Sequence, residues 1–167
     1  MSDIKLKPYN QRFARKCFLE IMNNDKTSWN VYARNYVDKE LSVTLYDGNK
    51  PIGIYVLGRN DPFEFLNDEG MEGHRVKFEK DLSKYKNKRG IQGILLYVKP
   101  EYRNQKLGKI LLDYAAQNGD FTWGGHSVHL NNLNHWLKRR NLGAKIYEKN
   151  KNNRYQLISY YTFSNLL

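Results

Sequence analysis

The sequence predicts an α+β (mixed α/β) fold, with a mixed, mostly antiparallel central sheet flanked by helices. Three observations carry this expectation. Two short apolar runs, Leu41–Tyr46 and Ile52–Leu57, flank Asp47-Gly48-Asn49-Lys50, a hairpin turn signal because Gly and Asn tolerate positive φ. A strongly apolar strand, Ile91–Val98, ends at Pro100 and leads into an amphipathic helix, Asn104–Gln117. Strands and helices then interleave along the chain, as mixed folds require. With 167 residues, 40% of them apolar, the chain is read as a single domain spanning 1–167 with a sizeable core.

The elements follow in order. A short lead strand near Ile4 and Leu6 precedes a helix over Pro8–Asn24, with Phe13, Cys17, Phe18 and Ile21 on its inward face. Thr27–Asp38 predicts a second helix, with Trp29, Tyr32 and Tyr36 at helical spacing and Thr27 or Ser28 as N-cap. The hairpin supplies the second and third strands. Residues 58–89 then form a long insertion before the fourth strand. It opens on acids (Asp61, Glu64, Asp68, Glu69, Glu72), closes on bases (Lys80, Lys84, Lys86, Lys88, Arg89), and allows a helix over Arg75–Tyr85. Connections this long often serve as lids or binding elements. The helix after Ile91–Val98 is expected to face inward with Leu107, Ile110, Leu111 and Tyr114. Phe121–Leu130 reads as a strand with a bend at Gly124-Gly125, Asn132–Asn141 as a helix ended by Leu142-Gly143, and Ala144–Glu148 and Tyr155–Phe163 as the closing strands.

Charge and cysteine content narrow the function classes. A formal net charge of +11 favours anionic partners, among them nucleic acid, an acidic protein or a polyanionic cofactor. Cys17 is the single cysteine, so no internal disulfide forms; its place in the apolar series reads as packing rather than nucleophilic chemistry. No apolar run reaches the ~20 residues of a membrane span. The start, MSDIKLKPYN, lacks the apolar segment of a secretory signal, and a cytoplasmic protein is expected.

The chemistry-bearing stretch is Leu96–Ala115, LYVKPEYRNQKLGKILLDYA. A strand stops, a basic polar segment follows, and a helix begins. The first-turn N–H groups of a helix lack partners within it, and its dipole places partial positive charge there, so such an end holds phosphate. Gly108 removes a side chain where a ligand must approach, and Arg103, Lys106 and Lys109 add charge. A P-loop and a dinucleotide fingerprint are both absent.

This segment resembles the acetyl-CoA signature of the GNAT acetyltransferase superfamily, whose pattern is Arg or Gln, two residues, Gly, one residue, then Gly or Ala. Arg103 holds the first position and Gly108 the last; Lys106 stands where the first glycine usually lies. The flanks LYVKPEYR and KILLDYA and the order of elements are similar to the family as well. The resemblance implies a GNAT-like fold in which the insertion is a lid or acceptor-side element. It implies acetyl-CoA as cosubstrate and transfer of its acetyl group to a primary amine by direct attack in a ternary complex. By the same resemblance the backbone of Leu96, Tyr97 and Val98 binds the thioester and pantetheine arm. Asn104, Gln105, Lys106, Leu107, Gly108 and Lys109 cradle the pyrophosphate beside Arg103, and Asn132 fits a family asparagine position. Val98 N–H is the implied oxyanion donor.

The family's thiolate-protonating tyrosine has no counterpart: Trp136, Leu137, Lys138 and Arg139 occupy its stretch, and Gly143-Ala144 replaces a Gly-Phe pair. Tyr147 is the candidate substitute, while Lys138 and Arg139 are candidates for neutralising the thiolate or binding phosphate. His126 and His129 are the candidate proton acceptors, since a histidine titrates near neutral pH. His126, His129 and His135 do not make a zinc set without a cysteine or local carboxylate, so no metal is expected. The acceptor is an amine on a small molecule, a protein or a nucleic acid. A different class of reading is a basic nucleic-acid-binding protein that keeps the fold, motivated by the net charge and Lys138-Arg139-Arg140 beside Trp136.

Overall fold

A computed structural model describes residues 3–21, 24, 26–27, 29–30, 36–59, 89–129, 145–149 and 154–162, with the backbone alone from 121 onward. The expected helices at 75–85 and 132–141, and nearly all of the 58–89 insertion, lie outside these residues. Two compact units form, one from described residues within 1–59 and 93–118, the other from those within 60–92 and 119–167.

The first unit begins with β1 (Ile4–Pro8), α1 (Gln11–Ile21), β2 (Val43–Asp47) and β3 (Lys50–Gly58). β1 pairs antiparallel with β2, and β2 with β3, as the hairpin signal requires. Gly48 adopts φ +58 at the turn, the backbone that glycine tolerates without strain. β4 (Gly90–Val98) neighbours β3, and Lys99 N–H donates to Ile52 O at 2.8 Å where that pairing ends. The unit closes with a 3-10 turn at Pro100–Tyr102 and α2 (Leu107–Ala116).

α1 starts at Gln11 rather than Pro8. Asn10 is the reason: its Oδ1 accepts the Phe13 N–H at 3.0 Å, and its own N–H is held outside the helix by Thr44 Oγ1 at 3.0 Å. The inward stripe is Phe13, Ala14, Cys17 and Phe18; Ile21, at the helix end, is half exposed. Those four residues form a core with Trp29, Ile54, Val56, Leu95 and Tyr97. Of the second expected helix, 26–27 and 29–30 are helical, and Trp29 packs on Phe18 with ring centroids 5.5 Å apart. β3 is buried from Ile52 to Gly58, because α1 and α2 both pack on it and strand side chains alternate between faces.

Asp38 and Ser42 tie the entry of β2 to the end of β3. Ser42 Oγ accepts Leu57 N–H at 2.9 Å and donates to Asp38 O at 2.7 Å, at a site only 2% exposed. Ser42→Ala leaves a buried N–H without its acceptor, and we expect a loss of about 1–3 kcal/mol in chemical denaturation. Burial works against the Asp38 carboxylate. Hydrogen bonds from Leu41 N–H, Arg59 and Glu40 N–H outweigh it and hold its pKa below the ordinary 3.8.

The second unit is built on β5 (Phe121–His129), β6 (Lys145–Lys149) and β7 (Arg154–Thr162). β5 pairs antiparallel with β7 along its whole length, and β7 with β6. The expected bend at Gly124-Gly125 is absent: the ladder runs through Gly124↔Ser159 and Gly125↔Ile158 without a shift, because long continuous pairing holds both glycines extended. The start of β4 joins this unit, parallel to β5, from Gly90↔Phe121 to Gln92↔Trp123. Gly119 precedes β5 because a Cβ there would lie 2.5 Å from Ile91 Cγ1. The architecture is the mixed, mostly antiparallel sheet with flanking helices that the sequence predicts, with the insertion between β3 and β4.

Candidate functional site

Strand parity decides which backbone groups at the end of β4 are free for a ligand. Lys99 N–H points to β3, and the Tyr97 carbonyl lies on the same side, 3.1 Å from where a Cβ on Gly53 would stand. Successive residues of a strand alternate in direction, so Leu96 and Val98 turn their N–H and C=O to the other edge. The β4–β5 ladder, Gly90↔Phe121 to Gln92↔Trp123, lies wholly within the second unit. Val98 O accepts from Arg103 Nε at 2.9 Å. The Arg103 guanidinium also lies 5.7 Å from the centroid of the Tyr97 ring, so Arg103 folds the loop back onto the strand end.

The loop that follows has a backbone shaped for an anion. Asn104 and Lys106 both hold positive φ, 62° and 60°, on either side of Gln105. Turns of this kind point successive N–H groups into a concavity. The N–H groups of Asn104, Gln105, Lys106, Leu107 and Gly108 have no acceptor among the described residues, whereas Arg103 N–H bonds Pro100 O and Lys109 N–H bonds Lys106 O. A Cβ placed on Gly108 would meet nothing within 4 Å. Five unsatisfied donors, a helix N-terminus and open space at Gly108 fit a pyrophosphate.

Two expectations for this segment change. α2 begins at Leu107, not Asn104, because residues at φ near +60° cannot lie inside a right-handed helix. Its buried stripe is Leu107, Leu111 and Ala115, while Ile110 is 37% exposed and Tyr114 half-buried. The charges also differ in availability. Lys109 Nζ is paired with Asp113 at 2.7 Å, while Lys106 has no carboxylate partner among the described residues.

Lys106 is the N-cap of α2 in the left-handed conformation and makes no side-chain cap. The backbone there explains why a glycine suits this position: a side chain costs ~1–2 kcal/mol at that φ. Lys106→Gly should raise the melting temperature by a few degrees yet weaken acetyl-CoA binding by severalfold, since one ammonium is lost from the cradle. Thermal unfolding and titration calorimetry on the same variant check both signs.

The opposite face of β4 carries a polar contact that the sequence did not disclose. Tyr97 OH donates to Glu20 Oε1 at 2.9 Å, joining the strand to α1. Burial first, then the Glu20 hydrogen bond and charge, push the Tyr97 phenol up to about 12, so it stays a donor at neutral pH. Burial, with Glu20 adding to it, likewise pushes the Cys17 thiol up to about 12, against the pull of Lys99 and Lys16. Cys17 is a buried thiol, in keeping with packing. No signal in the linear sequence marks Glu20, because its meaning depends on a strand 77 residues away.

The remaining candidates lie in the second unit. His126 and His129 are on β5, in register with Leu157 and Arg154. Tyr147 is the extra residue of a β-bulge, between Ile146↔Leu157 and Glu148↔Gln156. Asn132 lies outside the described residues.

The model of the Acetyltransferase (GNAT) family matches residues 9–137. No protein of curated function matches. Among solved structures, the loading GNATL domain of CurA from Lyngbya majuscula is similar at 15% identity and a TM-score of 0.58, covering 97% of this chain and 98% of that one. IAA acetyltransferase from Bacillus cereus ATCC 14579 is similar at 12% identity and 0.56, covering 96% and 99%. A chain of the NatC complex bound to Gag peptide and CoA is similar at 15% identity and 0.54, covering 95% and 98%. At these identities the structures speak for the fold, and the family match speaks for the chemistry. The chain belongs to the GNAT acetyltransferase family, and it is an acyltransferase whose cosubstrate is acetyl-CoA.

Proposed function

We propose that this enzyme is an N-acetyltransferase that moves the acetyl group of acetyl-CoA to a primary amine by direct attack in a ternary complex. The observation that carries the reading is the run of five N–H groups from Asn104 to Gly108 that have no acceptor among the described residues, opening on space beside Gly108. These groups, with the Lys106 ammonium, would hold the pyrophosphate. The outward edge at Leu96 and Val98 would hold the pantetheine arm by strand-like hydrogen bonds.

Acetyl-CoA supplies an activated acyl thioester. Val98 N–H, on the edge away from β3, would donate to the thioester oxygen as negative charge develops there. Arg103 braces this geometry through Val98 O. His126, His129 and Tyr147 are the proposed groups for proton transfer in the second unit. What supports them is that imidazole and phenol groups are able to carry protons, together with the absence of the family's usual tyrosine. Within this reading the two units act as one domain, with residues 58–89 as a lid or acceptor-side element.

The test is incubation with labelled acetyl-CoA and three acceptor pools: protein, nucleic acid including aminoacyl-tRNA, and small amines. Label in one pool identifies the acceptor class. No transfer to any pool, with hydrolysis no faster than in buffer, would contradict the reading.

A further inference from the structure

A cavity of about 290 Å³ opens in the first unit between α1 and the end of β4. That is close to the lower bound of ~300 Å³ for small-molecule pockets. Its walls include Phe13, Cys17 and Tyr97; its charged groups are Lys16, Glu20, Lys99 and Glu101, of which Lys99 alone is half-buried and the others are exposed. Tyr97 and Lys99 are the residues on either side of Val98, so the cavity adjoins the proposed oxyanion donor by one strand step.

The charges in this cavity are unevenly matched. Glu101 already has a cation beside it, Lys50 at 3.8 Å, in a pair exposed on both sides. Lys16 and Lys99 have no carboxylate within salt-bridge distance among the described residues; Lys99 Nζ stands 5.5 Å from the centroid of the Phe13 ring. Glu20 spends Oε1 on Tyr97, which leaves Oε2 without a partner among the described residues. Two ammonium groups and one carboxylate oxygen without an ion-pair partner among the described residues thus line this cavity.

We propose that this cavity receives the acyl acceptor, and that the acceptor is a small amino acid-like zwitterion, its amine beside Glu20 Oε2 and its carboxylate between Lys16 and Lys99. The assignment rests on the acetyltransferase reading above. A diamine would set a second cation against two lysines, and a simple monoamine would leave both lysines unanswered. Neither matches the cavity as a zwitterion does. In the transfer, the ammonium form first gives one proton to water. The nitrogen then bonds to the acyl carbon as the C–S bond breaks. The second proton leaves the nitrogen and ends on the departing sulfur, so the products are the amide, the CoA thiol and one proton in solvent. Cys17 does not compete as acceptor, since burial keeps it a thiol.

The experiment uses the full chain, acetyl-CoA and matched acceptors: phenylalanine, phenylalaninamide and phenethylamine, then lysine, lysinamide and cadaverine. In at least one set, kcat/KM for the free acid should exceed that of its amide and its decarboxylated amine by tenfold or more. Lys16→Met and Lys99→Met should each narrow this preference to below threefold. Glu20→Gln, whose amide oxygen still accepts from Tyr97, should raise KM for the acids by tenfold or more. Acetyl-CoA affinity and melting temperature are measured on every variant. Decarboxylated amines used as well as the acids, a preference untouched by both lysine variants, or acetyl-CoA bound with no acid acetylated would overturn the assignment. Failure of the wild-type chain to bind acetyl-CoA would instead overturn the reading on which it rests.

Discussion

Gly108→Leu should abolish measurable acetyl-CoA binding, a loss of at least 100-fold in affinity, without lowering the melting temperature. The two halves of this expectation have separate causes. Gly108 lies in the first turn of α2, has no positive φ, and faces open space where a Cβ would stand. The fold therefore has room for a side chain, and replacing glycine in a helix gains up to ~1 kcal/mol in propensity. The same side chain would fill the volume that the N–H groups of 104–108 surround. Calorimetric titration and thermal unfolding of one variant check both. Retained affinity would remove the loop from the binding site, and a large drop in melting temperature would mean that the glycine serves packing.

Val98→Pro should lower kcat by ~10²–10³-fold, the usual cost of losing one oxyanion donor, with acetyl-CoA affinity changed only severalfold. Proline removes that N–H and replaces a side chain whose Cγ2 borders Gly53. That N–H points away from β3, so the substitution breaks no hydrogen bond between β3 and β4. The residue before it, Tyr97, is already in the extended conformation that a following proline demands. Val98→Ala, which keeps the N–H, is the control and should retain wild-type kcat within a few-fold. Single-turnover kinetics separate the chemical step from product release. An unchanged kcat in Val98→Pro would place the donor elsewhere.

Much of this was legible in the sequence because it is written in local chemistry. The hairpin shows itself in Asp47-Gly48-Asn49-Lys50, where the residue types match the turn geometry. The strand, the polar basic segment and the amphipathic helix that would carry the proposed anion cradle show themselves in succession. What the sequence blurred was the start of α2: Asn104 and Lys106 read as helix formers by position, but their positive φ delays the helix to Leu107. The same φ accounts for the glycine usual at position 106 and for what a lysine costs there. Ile21 and Ile110 fit the apolar period yet lie at a helix end and on an exposed flank, where the sheet does not reach them. Glu20 was invisible because its partner is a tyrosine far along the chain, met only when β4 packs on α1. Arg103 looked like one more phosphate ligand, while its Nε is spent on Val98 O.

The claim on which the rest depends is that residues 96–109 bind acetyl-CoA. Isothermal titration of acetyl-CoA into the wild-type full chain tests it most directly, with CoA in parallel and Gly108→Leu as the control. The structure predicts saturable binding at one site with a submillimolar Kd, weakened by added salt as a phosphate cradle requires. No heat of binding at millimolar acetyl-CoA, together with no rise in melting temperature, would contradict it.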